Sequence, residues 1–279
     1  MIDVGLLEKA ARQVRATCVQ LAHDGKVGHL GSSLSCVEGI VALYHGWLRL
    51  PPGDWRNRDR FILSKGHACT ALYAVLAQLG MLPVEWLHDY AKYGKPLSDH
   101  PCKHALPLLE CSTGSLGHGL GIATGMLYGL RLEGSPARAA VLMSDGECNE
   151  GSVWESAMFA AAQGLDRLVA LVDYNGLQAV GRSDEISGHT SLEEKFRAFG
   201  WGATTVPGQD IAAILGALNQ VPLRTGRPTA IVLRTRKGAG VSFMCDQVLW
   251  HYRIPSSEEL RKALAELGER PLHVQEVQP

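Results

Sequence analysis

Two apolar runs of strand length, separated by a helical stretch, constrain the fold of this 279-residue chain most strongly. The runs are residues 139–144 and 168–174, and the residues between them have a helical pattern. A strand, a crossover helix and a second buried strand form a βαβ unit, which belongs to a parallel sheet covered by helices. The alternation of apolar segments along the chain therefore predicts one doubly wound, mostly parallel α/β domain over residues 1–270, with helices on both faces.

Hydrophobic periodicity also predicts the other elements. Helices are predicted at residues 5–23, 68–79, 117–130, 191–199, 210–218 and 256–268, and strands at 60–63 and 230–233. A further helix, capped by Ser33, is predicted to run through Tyr44. Residues 93–114 are rich in Pro, Gly, His and Cys, so we expect a long ordered loop. Residues 271–279 have no periodic pattern and are expected to form a flexible tail.

The composition excludes several classes of function. The chain is 46% hydrophobic with a net charge of −1, which predicts no nucleic-acid or membrane partner. The first residues lead into a charged amphipathic helix rather than a signal peptide, and no apolar stretch reaches the roughly 18 residues that span a bilayer. Seven dispersed cysteines without a Cys-x-x-Cys pair are typical of reduced thiols, so we expect a cytoplasmic protein.

Both apolar runs end in a side chain that carries an oxygen atom. Asp145-Gly146 follows the first run, and Asn175-Gly176-Leu177 follows the second. In open α/β sheets ligands bind outside the carboxyl ends of the strands, where these side chains are expected to meet. A carboxylate, an amide and a backbone carbonyl suit Mg²⁺ or Ca²⁺ with a phosphate among its ligands. Each dipeptide alone is a common turn signal, but their occurrence at two strand ends favours a metal site.

A glycine-rich segment, residues 112–119, is a candidate cradle for such a phosphate. It reads Ser-Thr-Gly-Ser-Leu-Gly-His-Gly and leads into a predicted helix, whose free N–H groups and dipole would attract an anion. The alternative interpretation is a tight loop packed against the sheet, because a glycine-rich loop alone is a weak signal. The chain has neither a P-loop motif nor a Rossmann glycine motif after its first strand, which disfavours a P-loop nucleotide enzyme and NAD.

Four histidines are predicted to lie in loops or at the ends of elements: His29, His67, His100 and His251. Imidazoles that converge on a diphosphate and a sugar can bind oxygens and transfer protons near neutral pH. A lone loop histidine is more often solvated or bonded to the backbone, and the sequence does not show convergence. His100 and His104 have His-x3-His spacing, but no second Cys/His cluster accompanies them, which disfavours a zinc site.

Seven ordered segments of the chain resemble the transketolase family. They are residues 27–33, 59–68, 99–101, 113–117, 144–151, 173–178, and 237–244 with the following Trp250-His251. The Asp145-Gly146 and Asn175 pair is similar to the family's thiamine diphosphate signature, so the resemblance implies the thiamine diphosphate-binding fold of its diphosphate-binding (PP) domain. Two departures stand out. Ser144 replaces the first glycine of the signature, and Tyr252-Arg253 replaces a more usual glycine, which would change the entrance to the site.

The resemblance implies roles for three sets of residues. The expected metal ligands, for Mg²⁺ or alternatively Ca²⁺ or Mn²⁺, are Asp145, Asn175 and the carbonyl of Leu177. The expected contacts to thiamine diphosphate are His67, Gly114, Leu116, Gly146, Asn175 and His251. The expected catalytic residues, which line the substrate funnel or connect two active sites across a dimer, are His29, His100, His251, Glu150 and Glu155. For the two glutamates, a place at a helix start favoured by the dipole is the alternative.

Full transketolases are more than twice as long and carry a second domain that binds the pyrimidine ring of the cofactor. The resemblance therefore implies the N-terminal subunit of a split transketolase, active only with a separate C-terminal subunit in an α₂β₂ heterotetramer. The implied reaction transfers a two-carbon ketol unit from a ketose phosphate donor to an aldose acceptor. A specialised carboligase or transketolase-like subunit with a non-standard donor or acceptor, and a non-catalytic regulatory module, remain as alternatives. A 2-oxo-acid dehydrogenase subunit shares the metal motif but not the histidines at 29, 67 and 100.

Overall fold

The structure is a computed structural model and describes residues 3–188 and 190–272. Within these ranges five strands form one sheet in the order β1-β2-β3-β5-β4. The strands are β1 (Arg60–Leu63), β2 (Ala139–Ser144), β3 (Leu168–Tyr174), β4 (Gly202–Pro207) and β5 (Thr229–Arg234). Every neighbouring pair is parallel, which confirms the predicted parallel sheet.

Ten α-helices lie within the same described ranges. They are α1 (Val4–Gly25), α2 (Leu30–Ser35), α3 (Val37–Ala42), α4 (Cys69–Gln78), α5 (Gly119–Leu132), α6 (Gly151–Ala162), α7 (Ser183–Ser187), α8 (Leu192–Ala198), α9 (Ile211–Leu218) and α10 (Ser257–Leu267). Short 3-10 turns occur at Gly66–Ala68, Val84–Asp89, Gly146–Asn149, Ser242–Met244 and Val248–His251, and a π turn occurs at Leu43–Trp47.

The strands separate two hydrophobic cores. Leu142 and Leu171 belong to the core that includes α1, α3, α4, α9 and α10. Val141 and Ala170, their neighbours along the strands, belong to the core that includes α5, α6 and α8. Successive side chains of a strand point to opposite faces, so a strand covered on both faces is apolar throughout. The helices on both faces confirm the predicted doubly wound architecture.

Two predicted helix starts are wrong by a few residues. Helix α2 begins at Leu30, so Ser33 lies inside it and is not a cap, and the segment that follows divides into α2, α3 and the π turn instead of one helix. Helix α5 begins at Gly119 and not at Gly117. Gly117 has a φ of 86°, which favours glycine, and turns the chain immediately before the helix.

The sequence pattern predicts neither the short helix α7 nor strand β4, of which β4 belongs to the sheet. The middle residues of β4, Thr204 and Thr205, are half-buried, and Pro207 ends it. A mixed pattern and a proline are tolerated here because β4 lies at the edge of the sheet. Edge strands therefore lack the continuous apolar run that identifies β2 and β3.

The regions outside regular elements follow the expectations in part. Residues 93–114 form an ordered loop without helix or strand, as predicted. In the predicted tail, Pro271 is buried and the backbone N–H of Leu272 donates to Thr17 Oγ1 at 3.1 Å, whereas residues 273–279 lie outside the described residues. Among residues 3–188 and 190–272, each helix is too short or too polar to cross a bilayer. All seven cysteines are free thiols, and the domain boundary and the cytoplasmic location stay predictions.

Candidate active site

A cavity of about 420 Å³ opens at the carboxyl ends of the strands. The loops that follow β1, β2, β3 and β5 each contribute polar side chains to it. The predicted site residues that line it are His29, His67, His100, Gly114, Leu116, Asp145, Gly146, Glu150, Asn175, Leu177 and His251. Glu155 does not line it, because this residue is exposed one turn inside α6.

Hydrogen bonds join the oxygen-bearing residues after β2 and β3 at one side of the cavity. Asp145 Oδ2 accepts hydrogen bonds from the backbone N–H of Gly176 at 3.1 Å and from Ser183 Oγ at 2.7 Å. Asn175 Oδ1 accepts from the backbone N–H of Leu177 at 3.1 Å. The structure thus brings the two halves of the predicted metal motif into one small group.

This group fits a hard divalent cation. Its three candidate ligands, the Asp145 carboxylate, the Asn175 amide and the Leu177 carbonyl, are all oxygen donors. Within the part of the chain that the structure describes, no group of three or more His, Cys, Asp or Glu side chains could hold a metal ion, which disfavours zinc at His100 and His104. Burial raises the pKa of the Asp145 carboxyl, and a bound cation would favour its ionised form.

Lys237 places a cation of the protein itself beside the same carbonyl. Its Nζ donates to the carbonyl oxygens of Leu177 and Gln178 at 3.3 Å each and lies 3.1 Å from His251 Nδ1. Burial, together with the nearby charge of Lys65, lowers the pKa of Lys237 to about 8. Because Lys237 lines the cavity, this end of it suits an anionic group.

Lys65 and Asp173 form a fully buried ion pair beneath the cavity. Asp173 also accepts hydrogen bonds from Ser35 Oγ at 2.6 Å and from Asn175 Nδ2 at 3.2 Å. Buried charges need a partner and further hydrogen bonds, because both ions lose their hydration. The network therefore ties the end of β1 to the end of β3 and fixes the orientation of the Asn175 amide.

Two backbone N–H groups at the N-terminus of α5 are bonded inside the protein and are not available to a phosphate. Glu147 Oε1 accepts from the backbone N–H of Gly117 at 2.9 Å, and Ser64 Oγ accepts from that of Gly119 at 3.1 Å. The fully buried Glu147 carboxylate takes the favourable place at the positive end of the helix. Within residues 112–119, all of which are described, the cavity is lined by Gly114 and Leu116 alone.

Gly66 packs against this segment without room for a side chain. A Cβ at residue 66 would lie 2.7 Å from Thr113 Oγ1 and 2.9 Å from Gly114 N. We expect Gly66→Ala to lower the free energy of unfolding by about 1–3 kcal/mol, the usual cost of overpacking. Denaturant unfolding measures this change.

The matched control is Gly216→Ala in α9, where a Cβ would meet nothing within 4 Å. Replacing this helical glycine should stabilise the protein by about 0.5–1 kcal/mol. If both variants were equally stable, the close packing of Gly66 on the cradle would be contradicted.

The four predicted histidines converge around His29. Its ring centroid lies 5.3 Å from that of His67, 5.8 Å from that of His100 and 5.0 Å from that of His251. The backbone N–H of His29 donates to the His251 carbonyl at 2.7 Å, which joins the loop before α2 to the loop after β5. His29 Nδ1 is buried and has no hydrogen-bond partner among the described residues.

Burial favours the neutral form of three imidazoles in this cluster, those of His29, His67 and His251. Burial and the Lys65 charge lower the pKa of His67 well below its ordinary value. Burial and the Lys237 charge lower the pKa of His251 to about 3. Burial also lowers the pKa of His29. Neutral imidazole has one donor and one acceptor nitrogen, so the cluster can bind hydroxyl and carbonyl oxygens and accept a proton.

Five functional side chains escape the sequence interpretation: Lys65, Glu147, Asp173, Ser183 and Lys237. Lys65 comes two residues after β1, so the rule that ligands bind at the carboxyl ends of strands could have indicated it. The same rule could have indicated Asp173 at the end of β3 and Lys237 three residues after β5, whereas Glu147 and Ser183 bind partners that are distant in the sequence.

The fold and the cavity define an open α/β domain with a polar ligand site at the carboxyl ends of its parallel strands. The chain belongs to the transketolase family: residues 7–277 match the family described as transketolase, thiamine diphosphate binding domain.

Its relatives include proteins of similar length. It is 34% identical to an apulose-4-phosphate transketolase subunit of Phocaeicola vulgatus, over 96% of each chain. It is 37% identical to a 6-deoxy-6-sulfo-D-fructose transketolase subunit of a Clostridium species, over 94% of this chain and 96% of the relative. The solved transketolase of Leishmania mexicana superposes on this chain with a TM-score of 0.89 at 25% identity. The match covers 96% of this chain and 42% of that longer chain.

Proposed function

We propose that this chain is the N-terminal, diphosphate-binding subunit of a transketolase that transfers a two-carbon ketol unit from a ketose phosphate to an aldose. The observation that carries the proposal is the cavity in which an oxygen donor set, two lysines and a cluster of neutral histidines meet. The oxygens and Lys237 suit a cation and a diphosphate, and the imidazoles suit a sugar.

The cofactor end of the cavity is formed by two sets of residues. Mg²⁺, with Ca²⁺ or Mn²⁺ as alternatives, is held by Asp145, Asn175 and the carbonyl of Leu177. Thiamine diphosphate is contacted by His67, Gly114, Leu116, Gly146, Asn175 and His251. When bound, the cofactor supplies a thiazolium carbanion as the reactive group. The chain itself supplies charge balance through Lys237 and a low-polarity wall at Leu116.

The substrate end of the cavity is formed by His29, His100 and His251. Their nitrogens hydrogen-bond to the oxygens of the sugar, and neutral imidazoles accept and return protons at its hydroxyl groups. Glu150 lies at the edge of the cavity and Glu155 lies on the exposed side of α6. We assign to this pair the connection between two active sites across a dimer, since Glu155 faces away from its own cavity.

The catalytic unit includes a separate C-terminal, pyrimidine-binding subunit, and the assembly is an α₂β₂ heterotetramer in the cytoplasm. Relatives that are themselves named as one subunit of a transketolase match this chain over nearly their whole length, which supports a divided enzyme. The match to the Leishmania mexicana transketolase covers 42% of that longer chain. The ligands are sugar phosphates, and neither nucleic acid nor membrane is a partner.

A second candidate function is the same chemistry with a non-standard donor or acceptor. The relatives named for apulose 4-phosphate and 6-deoxy-6-sulfo-D-fructose favour it. Tyr252, which is 64% exposed, lies with its ring centroid 4.6 Å from that of His251 and 6.2 Å from that of His29. An aromatic ring beside these histidines changes the entrance that a sugar must pass. A regulatory module is disfavoured because the residues of the cavity retain a coherent chemistry.

The test is co-expression with a C-terminal-type transketolase subunit, followed by an assay of ketol transfer with thiamine diphosphate and Mg²⁺. Xylulose 5-phosphate with ribose 5-phosphate is the first substrate pair, and apulose 4-phosphate and 6-deoxy-6-sulfofructose follow as donors or products. Activity in the complex and not in either isolated chain supports the proposal. A stable, cofactor-loaded complex active only with the second group supports the specialised function. Absence of both complex and cofactor binding contradicts both and favours the regulatory module.

The cluster predicts a separation of binding from turnover. We expect His29→Ala to reduce kcat/KM of the complex by about 100-fold, within the usual contribution of a general acid–base group. The affinity for thiamine diphosphate should change little, because we assign His29 to the sugar and not to the cofactor. Steady-state kinetics and cofactor titration measure the two effects, and unchanged kinetics would remove His29 from the site.

A further inference from the structure

We infer that Ser183 is a positioning residue that orients the Asp145 carboxylate for the divalent cation. The inference rests on the proposed function and deepens it, because it adds a residue that does not touch the cation itself. Ser183 Oγ donates to Asp145 Oδ2 at 2.7 Å, and the backbone N–H of Gly176 donates to the same oxygen at 3.1 Å. Both donors bind Oδ2, so they restrict the rotation of the carboxylate.

Ser183 reaches Asp145 through a short hairpin. Leu177 and Arg182 form an antiparallel bridge, and the backbone N–H of Ser183 donates to the Gly176 carbonyl at 3.0 Å. One leg of the hairpin therefore carries the Leu177 carbonyl, and the other leg carries the serine. The hairpin joins two proposed ligands and the donor to the third in a single local unit.

Contacts with the segment that follows β5 also hold the hairpin in place. Arg182 forms an ion pair with Asp246 at 2.9 Å, and the backbone N–H of Asp246 donates to the carbonyl of Lys237 at 2.9 Å. Lys237 in turn donates to the carbonyl of Leu177 inside the hairpin. These contacts fix the register of the hairpin, so the hydroxyl of Ser183 reaches the carboxylate from a defined direction.

The energetic consequence follows from general metal-site chemistry. A hydrogen bond to a carboxylate is stronger than one between neutral groups, and it restricts the rotation of the ligand. Without the hydroxyl, Asp145 keeps its place after β2 but loses this restraint. Loss of such an outer partner typically weakens metal affinity about 10–100-fold. The effect is on the affinity for the metal and not on the fold, because Ser183 is half-exposed at the start of α7.

The experiment is a titration of the full-length chain, alone and with its partner subunit, with Mn²⁺ in the presence of thiamine diphosphate. Electron paramagnetic resonance of free Mn²⁺ gives the Kd directly and needs no turnover. We expect Ser183→Ala to raise the Kd about 10-fold, the lower end of the range for outer partners of metal ligands. Ser183→Thr keeps the hydroxyl and should retain the wild-type Kd.

Ser187→Ala is the matched control. Ser187 lies on the same short helix α7, and its hydroxyl accepts from Asn149 Nδ2 at 2.8 Å rather than bonding Asp145. A wild-type Kd for Ser183→Ala would overturn the inference, and so would an equal loss for Ser183→Ala and Ser187→Ala. Absence of Mn²⁺ binding by the wild-type chain in both forms would instead overturn the proposed function, so the two failures are distinguishable.

Discussion

Asp145→Ala is expected to abolish metal-dependent binding of thiamine diphosphate by the assembled enzyme. Asp145 is the one charged side chain among the three proposed ligands, and the other two are an amide and a backbone carbonyl. Removal of its charge leaves Lys237, which already contacts the Leu177 carbonyl, as the nearest cation for the diphosphate. We expect the cofactor Kd in Mg²⁺ to rise by more than about 100-fold, beyond the usual effect of changing an outer partner.

Asp184→Ala is the control for this variant, because it removes a carboxylate from the same region. Asp184 is exposed on α7, and its side chain bonds the backbone N–H of Glu185. Its variant should bind the cofactor like the wild type. Calorimetric titration with and without Mg²⁺ measures the affinities, and unchanged affinity in Asp145→Ala would refute the metal assignment.

Asp173→Ala is expected to destabilise the protein more than any surface substitution. Its carboxylate neutralises Lys65, and both side chains are fully buried. Burial opposes the charged form of Lys65, but the Asp173 carboxylate holds the pKa of Lys65 above its ordinary value. The variant leaves that ammonium unpaired away from water, which typically costs about 3–5 kcal/mol. Denaturant unfolding at neutral pH measures the loss.

Two further variants separate the ion pair from general damage. Asp89→Ala removes a surface carboxylate that pairs with Lys92 and Lys95, and solvent screening should leave its unfolding midpoint nearly unchanged. The double variant Lys65→Met with Asp173→Leu removes both buried charges and should recover part of the stability. If Asp173→Ala unfolded at the same denaturant concentration as Asp89→Ala, the role of the buried pair would be contradicted.

The sheet is predictable from sequence because its central strands are buried on both faces. That burial requires continuous apolar runs, and β2 and β3 provide them without interruption. Strand β4 contains Thr204 and Thr205 because it lies at the edge, and its pattern is therefore not distinguishable from a loop. The helix that contains Ser33 is misplaced because small polar residues favour caps in isolation, whereas here tertiary packing buries them within α2.

The candidate site is predictable where its residues follow a strand and less so where they meet through space. Asp145 and Asn175 are separated by one βαβ unit, so their proximity follows from local topology. The convergence of His29, His100 and His251 depends on loops that are far apart in the chain, and no spacing rule describes it. The sequence also does not indicate that Glu147 binds the backbone N–H of Gly117 before α5, since a glutamate in a turn is normally exposed.

Glu147 has a consequence for local opening of the structure. Its carboxylate binds Ser64 after β1, Ser144 at the end of β2 and Gly117 before α5, so these three segments must separate together. Segments joined in this way open in cooperative units close to the global stability, and their amide hydrogens exchange slowly.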